Sequence, residues 1–254
     1  ELIVTDFKLR YQGSLLGYLW SLLKPLFLFA ILYLVFGYFL RMGGDVDHFA
    51  VYLLLGIVMW NFFTEATTQG LQSIVSRGDL IRKINFPKYI IIIAGTTSAL
   101  INLFFNLLVV MLFIFLNGVD LHWSILLLPI LIFEVYVFAL AIAFFLAALN
   151  VKFRDIGYLW EIVLQAAFYA TPILYSISIV VDKSRLIAEW MLVLNPVAQA
   201  IQDARYVTVS TKTTTLWQLV SDWRLIIPFI LVGILSIMAI AYFKRSSKYF
   251  AEYV

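Results

Sequence analysis

The 254-residue sequence has no cysteine and only two histidines, His48 and His122. Disulfides, thiolate nucleophiles and thiolate metal sites are therefore excluded, and two histidines are too few to build a metal centre by themselves. No glycine is followed by lysine, so the G-x-x-x-x-G-K-[ST] loop that cradles nucleotide phosphates is missing. Neither H-E-x-x-H nor G-x-S-x-G occurs. Charge is scarce too: 13% of residues are Asp, Glu, Lys or Arg, about half the ~25% of an ordinary soluble domain. Without its own nucleotide loop, the chain must draw any energy from a partner or an ion gradient.

Apolar residues fill the space. They make up 63% of the chain, with 22 Phe, 14 Tyr and 7 Trp, and the mean hydropathy is +0.97. A soluble domain of this length cannot hide so much apolar surface. A cytosolic globular enzyme, a disordered chain and a nucleic-acid binder are excluded, which leaves a polytopic membrane protein. Residues 1–24 carry Asp6, Lys8, Arg10 and Lys24 in helical register and do not read as a cleavable signal peptide.

A crossing helix needs about 20 largely apolar residues. Six stretches qualify: Pro25–Leu40, Phe49–Ser76, Tyr89–Val119, Leu121–Val151, Ile162–Val181 and Leu225–Phe243, with only Glu65 and Glu134 as charges inside them. An even number places both termini on one side. With the termini in the cytoplasm, twelve of the Lys and Arg residues fall inside and six outside. The inner group is Lys8, Arg10, Lys24, Arg77, Arg82, Lys83, Lys88, Lys152, Arg154, Lys244, Arg245 and Lys248. This asymmetry orients the chain with cytoplasmic termini. The six crossings leave no room for a soluble unit, so residues 1–254 read as one all-α membrane domain.

Three segments do not fit a plain bundle. Val4, Phe7, Tyr11, Leu15, Tyr18 and Leu22 form one stripe, opposite Asp6, Arg10, Gly13, Gly17 and Ser21. This predicts an amphipathic helix over 1–24 lying in the membrane interface, either a simple anchor or a docking element. Residues 77–88 mix basic groups with Leu80, Ile81, Ile84 and Phe86 before Pro87. Such a segment suits a short helix inserted into a partner's groove, or an interfacial turn with its apolar side chains in lipid. In the outer segment 182–224, Leu186–Leu194 is too short to cross and is broken by Asn195-Pro196. Its apolar content favours a partly buried re-entrant hairpin over one lying flat outside. Glu65, Glu134 and Glu161 suit structural hydrogen bonding or pore lining better than a proton relay. Two aromatic clusters stand out, Trp60, Phe62 and Phe63 in the second stretch and Phe168, Tyr169 and Tyr175 in the fifth. Ring faces stack on sugar C–H faces as readily as they pack against helices or lipid.

Several motifs in sequence order carry a resemblance. They are Asp6-Phe7-Lys8-Leu9-Arg10-Tyr11, Ser14-Leu15-Leu16-Gly17, Lys24-Pro25-Leu26, Gly56-Ile57-Val58-Met59-Trp60-Asn61-Phe62-Phe63 and Asp79-Leu80-Ile81-Arg82-Lys83-Ile84-Asn85-Phe86-Pro87. Then come Phe153-Arg154-Asp155-Ile156, Phe168-Tyr169-Ala170-Thr171-Pro172-Ile173, Leu194-Asn195-Pro196 and Phe250-Ala251-Glu252. Together they resemble the permease subunits of type 2 ABC exporters for polysaccharides such as O-antigen, capsule and teichoic acid.

The resemblance implies a homodimer in the bacterial cytoplasmic (inner) membrane, joined by two nucleotide-binding ATPase subunits that hold the ATP and Mg. The cargo it implies is a lipid-linked glycan. It makes Arg77, Asp79, Leu80, Ile81, Arg82, Lys83 and Phe86 the ATPase-coupling residues. Asp6, Arg10 and Gly17 belong to the interface helix bordering that contact. The first and fifth spans would line a channel, with Tyr33, Phe168, Tyr169 and Tyr175 as lining residues joined by Trp60 and Phe63 of the second stretch, and Asn195 and Pro196 would form an outer gate. Three other readings compete: an exporter of a lipid or drug on the same fold, an intramembrane glycan-modifying enzyme, and an ion-gradient flippase. The second and third lack the constellations their chemistry needs.

Overall fold

The computed structural model describes residues 17, 19–43, 46–78 and 87–250. Among them every regular element is helical. Five helices are long and apolar enough to cross a membrane: Leu19–Phe39, Phe49–Ser73, Tyr89–Leu116, Trp123–Lys152 and Trp223–Tyr249.

The first, α1 (Leu19–Leu32), continues as π-helical turns through Tyr33–Phe39. It starts six residues before the predicted crossing, just after a turn at Gly17 whose φ of +49° is readily adopted only by glycine. Pro25 therefore lies inside the helix rather than at its start. A proline there withholds one N–H and leaves the carbonyl four residues back unpaired. That carbonyl belongs to Ser21, and Asn106 Nδ2 from a neighbouring helix donates to it at 3.3 Å. A side chain thus repairs the ladder where water cannot.

The second helix, α2 (Phe49–Ser73), is the axis of the bundle. Its most apolar stretch is 78% buried, against 11–33% in the other four. Helices α3 (Tyr89–Leu116) and α4 (Leu128–Lys152) flank it. A Cβ on Gly70 of α2 would collide with the Ala143 side chain of α4. Ala139, Ala143 and Ala147 recur every fourth residue and are fully buried. Small residues let the two backbones approach closely in lipid, where dispersion rather than water exclusion holds helices together.

The fifth predicted crossing, Ile162–Val181, is not one helix. Helix α5 (Ile156–Ala170) has 15 residues and rises about 22 Å, short of a ~30 Å hydrocarbon layer. It stops because Thr171 turns extended, with ψ 135°, and Pro172 has no N–H to carry the ladder on. The short helices α6 (Ile177–Lys183), α7 (Arg185–Leu194), α8 (Pro196–Thr208) and α9 (Leu216–Leu219) follow, and α10 (Ile227–Ser246) packs along α4. The apolar piece before Asn195 and the piece after Pro196 are separate helices, as the sequence suggests. Asn195 caps the second, its Oδ1 accepting from Val197 N and Ala198 N at 3.1 Å.

Candidate functional site

The break after α5 exposes carbonyls that no helix satisfies, and a side chain from α8 meets them. Arg205 is fully buried. It donates from Nη1 to Pro172 O at 2.6 Å, from Nη2 to Ile173 O at 2.8 Å and from Nε to Tyr52 O at 3.0 Å. Its guanidinium carbon lies 3.5 Å from the centroid of the Tyr52 ring, a cation–π contact. Room exists because position 56 has no side chain; a Cβ on Gly56 would strike Arg205 Nη2. Asn195 Nδ2 donates to Thr171 Oγ1 at 3.0 Å. Helix α8, the junction at Asn195, the break and α2 thus form one hydrogen-bonded unit.

The aromatic residues singled out in sequence fall into two settings. Trp60 and Phe63 are buried in α2. Trp60 lies 6.0 Å from Phe168, and Phe63 stacks on Phe138 at 5.7 Å and meets Trp160 at 6.4 Å. Phe168 meets Tyr169 edge-on at 5.4 Å, and Tyr175 donates its hydroxyl to Tyr169 O at 3.3 Å. Tyr169 is 63% exposed. Tyr33 stands apart from this group, 42% exposed, beside Phe29 and Phe49. The structure brings five of the six together through Trp60 and Phe168, with two of those five buried inside the bundle.

The intramembrane carboxylates differ in their surroundings. Glu65 Oε1 accepts from Asn102 Nδ2 at 2.6 Å and from Gln69 Nε2 at 2.7 Å. These groups border a cavity of about 610 Å³ between α1, α2 and α3, lined also by Lys24, Asn61 and Asn106. Glu134 of α4 faces Gln199 and Asp203 of α8, where Gln199 Nε2 donates to Asp203 Oδ2 at 2.5 Å. Glu161 is exposed on α5.

The two ends of the bundle carry different charges. At one, Lys212 Nζ and Ser210 Oγ hold Asp47 Oδ2 at 3.0 and 3.1 Å. Those hydrogen bonds, Lys212's first, keep the Asp47 carboxyl below its usual range. Nearby, Arg224 joins Glu189 of α7 at 2.8 Å and Asp222 at 2.9 Å, and Arg185 also reaches Glu189, at 3.1 Å. At the other end, Arg77 follows α2 in a 3-10 turn over Val75–Arg77 and Lys88 precedes α3. Burial pulls the Arg77 pKa down. Of the expected coupling residues, Asp79, Leu80, Ile81, Arg82, Lys83 and Phe86 lie outside the described residues, as do Asp6 and Arg10 of the expected interface helix.

Sequence reasoning missed Arg205, which it left among the six outer basic residues. It also missed Gln199, Gln202 and Asp203. The available signal was the density of polar residues in 199–205 among Ala198, Ala200, Ile201 and Ala204. Gln199, Gln202, Asp203 and Arg205 fall within about 160° of the helix circumference, a pattern that reads as an ordinary solvated face, yet all four are buried. Asn102 and Asn106, which serve Glu65 and the Pro25 gap, are the two amides of α3, whose remaining polar side chains are the hydroxyls of Tyr89, Thr96, Thr97 and Ser98.

The sequence profile described as ABC-2 type transporter matches residues 1–209. A relative from Myxococcus xanthus, the O-antigen export system permease protein RfbA, is 31% identical over 196 residues. The match covers 77% of this chain and 74% of that one. Two Klebsiella pneumoniae proteins of the same name are 28% identical over 200 residues (77% of this chain, 74% of theirs) and 27% identical over 252 residues (97% and 91%).

Proposed function

The chain belongs to the ABC-2 type transporter family, and from that premise we propose that it is the membrane permease of an ATP-driven exporter of lipid-linked polysaccharide. The observation that carries the cargo assignment is the similarity to proteins named O-antigen export permeases, which in one case extends over 97% of the chain. Two copies of the chain pair in the cytoplasmic membrane and bind two ATPase subunits, which hold ATP and Mg.

In this reading the chain crosses six times with both termini in the cytoplasm. The fifth crossing is α5 together with the break and α6. The basic end is cytoplasmic, and residues 77–88 meet the ATPase there, with Arg77, Asp79, Leu80, Ile81, Arg82, Lys83 and Phe86 at the contact. The 1–24 segment, with Asp6, Arg10 and Gly17, borders it. The glycan moves along the faces of α1 and α5 that one copy leaves bare. Tyr33 and Tyr169 present their rings there, Phe168 and Tyr175 shoulder Tyr169, and Trp60 and Phe63 pack behind. A polymer that slides cannot be gripped by specific hydrogen bonds at every sugar, and ring faces give contact without fixed register. Helices α7 and α8, joined at Asn195-Pro196, re-enter from outside and close the exit.

The test is made in the organism that carries the gene. Deleting it should trap completed lipid-linked polymer on the cytoplasmic side, with synthesis continuing and restoration by the wild-type gene. The chain should co-purify with a P-loop ATPase. Normal surface polymer in the deletion strain rules out the cargo; absence of any ATPase partner rules out the exporter.

A further inference from the structure

A cavity of about 540 Å³ opens where α3, α4 and α10 meet at the basic end of the bundle. Its walls are apolar: Ile93 from α3, Leu140 and Phe144 from α4, and Ile240 from α10. Ile93 is 37% and Ile240 43% exposed, so the cavity faces outward from the bundle rather than into it. Its mouth is built differently, from Lys88 at the start of α3 and Lys244 in the last turn of α10, with Ser247 beside them.

Lys88 is the informative group. It is half-buried, and its ammonium donates to Ser247 O at 2.5 Å and lies 5.5 Å from the Phe250 ring. No carboxylate lies within ion-pair distance of it among the described residues. Burial without an anionic partner pulls its pKa below the ordinary lysine value. An ammonium has three donors, and the Ser247 carbonyl takes one. The 28-residue α3 begins beside Lys88 and adds the positive end of its dipole. The mouth therefore favours an anion and the walls favour a hydrocarbon chain. Both lie where span ends meet the headgroup layer.

We infer that this cavity binds one anionic phospholipid, with its phosphate between Lys88 and Lys244 and an acyl chain along Ile93, Leu140, Phe144 and Ile240. A basic pocket between helix ends above an apolar groove matches that amphiphile and no soluble anion. The site lies on α3, α4 and α10, apart from the bare α1 and α5 faces assigned to cargo, so it does not depend on that assignment.

The test titrates full-length chain in detergent micelles with fluorescent dioleoylphosphatidylglycerol, and with the phosphatidylcholine analogue as the uncharged-net comparison. The native chain should prefer phosphatidylglycerol. K88Q/K244Q should bind it about 25-fold more weakly, at about fivefold per lysine. K88R/K244R should bind like the native chain. K248Q, which removes an exposed charge from the same end but not from the mouth, should also leave binding unchanged. If the double Gln variant aggregates, K244Q alone should show the fivefold loss. Inorganic phosphate at millimolar concentration should not displace the lipid. Four results overturn the inference: no preference for phosphatidylglycerol, equal loss in K248Q, displacement by phosphate, or much tighter binding of a polyprenyl diphosphate, which would make this a cargo site.

Discussion

Arg205→Met tests whether the break after α5 is held by a single guanidinium. The change keeps a similar length of side chain but leaves the carbonyls of Tyr52, Pro172 and Ile173 without the donors now at 3.0, 2.6 and 2.8 Å. A hydrogen bond to a charged group is worth about 1.5–3 kcal/mol in water-soluble proteins, and interhelical bonds in membranes are worth about 0.6–1.7 kcal/mol each. Removing a buried charge returns part of this, because the guanidinium no longer has to be held out of water. A net loss of about 2–4 kcal/mol is expected for Arg205→Met, and about 1–2 kcal/mol for Arg205→Lys, whose ammonium keeps some of the carbonyls. The assay is reversible unfolding in mixed micelles, followed by tryptophan fluorescence, since Trp60 and Trp160 lie in the affected core. Gly56→Ala completes a double-mutant cycle. Its Cβ would displace Arg205 Nη2, with Arg205 Cζ at 3.2 Å and Ile173 Cγ2 at 3.4 Å. The alanine should be harmful beside the native Arg205 and much less so in the Arg205→Met background, giving a coupling energy of about 1 kcal/mol or more. Losses below about 0.5 kcal/mol, or strictly additive effects, would show that the break is held by something else.

Cysteines placed at Asp47 and Lys212 should react with an impermeant thiol reagent from outside, and those at Ser76 and Ser246 should not; labelling of the Ser246 site in intact cells reverses the orientation. Arg82→Glu or Lys83→Glu should weaken ATPase co-purification while leaving membrane insertion intact, because charge reversal at a contact rim acts mainly on association; unchanged co-purification and export remove the segment from that contact. Tyr169→Ala should slow export several-fold without changing dimer assembly or basal ATP hydrolysis, whereas a lipid-facing ring would leave all three unaltered. The Asp47–Lys212 link should hold at neutral pH and open only on acidification. A carboxyl whose pKa is lowered in the folded state gives stability that is present above its ordinary value and lost as pH falls through the lowered one. Spin labels at Val46 and Thr213 should keep their distance down to about pH 4, and separation already near neutrality would mean that another contact sets it.

Most of the architecture was legible from runs of apolar residues because lipid imposes one rule on every crossing, an unbroken apolar helix of sufficient length. The second, third, fourth and last crossings follow that rule to within a few residues. The first starts six residues earlier than expected and the fifth stretch is broken into shorter helices, and proline is the reason in both. Pro25 looks like the start of a helix, yet it sits inside one because Asn106, 81 positions later, covers the carbonyl it leaves open. Pro172 looks compatible with a kinked crossing, yet it ends α5 because Arg205 makes the broken backbone tolerable. Hydropathy reads each residue by its own transfer energy, and these outcomes depend on a partner far along the chain. The candidate site divides in the same way. The aromatic clusters were visible as composition, but which rings are bare and which are packed depends on how α2 and α5 meet.

The position of α2 suggests how work done at one end of the bundle reaches the other. Its 25 residues rise about 37 Å from Phe49 to Ser73, with Tyr52 and Gly56 in its first turns. Along that length it touches α5 through Trp60 against Phe168 and Phe63 against Trp160, and its Tyr52 carbonyl is bonded to Arg205 of α8. Helix α8 is bonded to the break at both Asn195 and Arg205. Its neighbour α7 is tied to the start of the last crossing by the Glu189–Arg224 pair at 2.8 Å. A displacement of α2 along its axis would load the break directly, because the guanidinium bridges both. It would reach α7 through α8 and its Asn195 junction, and through α6, which follows the break and packs against α7. The less buried Glu189–Arg224 contact, with the Arg224 side chain 24% exposed, is the weaker restraint, since partly exposed ion pairs hold less firmly than a fully buried guanidinium sharing three carbonyls. Helix α8 should therefore move with the break and α2 while α7 pivots against α10, so that the outer end opens at the α7–α10 seam. Arg224→Gln should then raise export or leak without unfolding the bundle, and Arg205→Met should uncouple ATP hydrolysis from export.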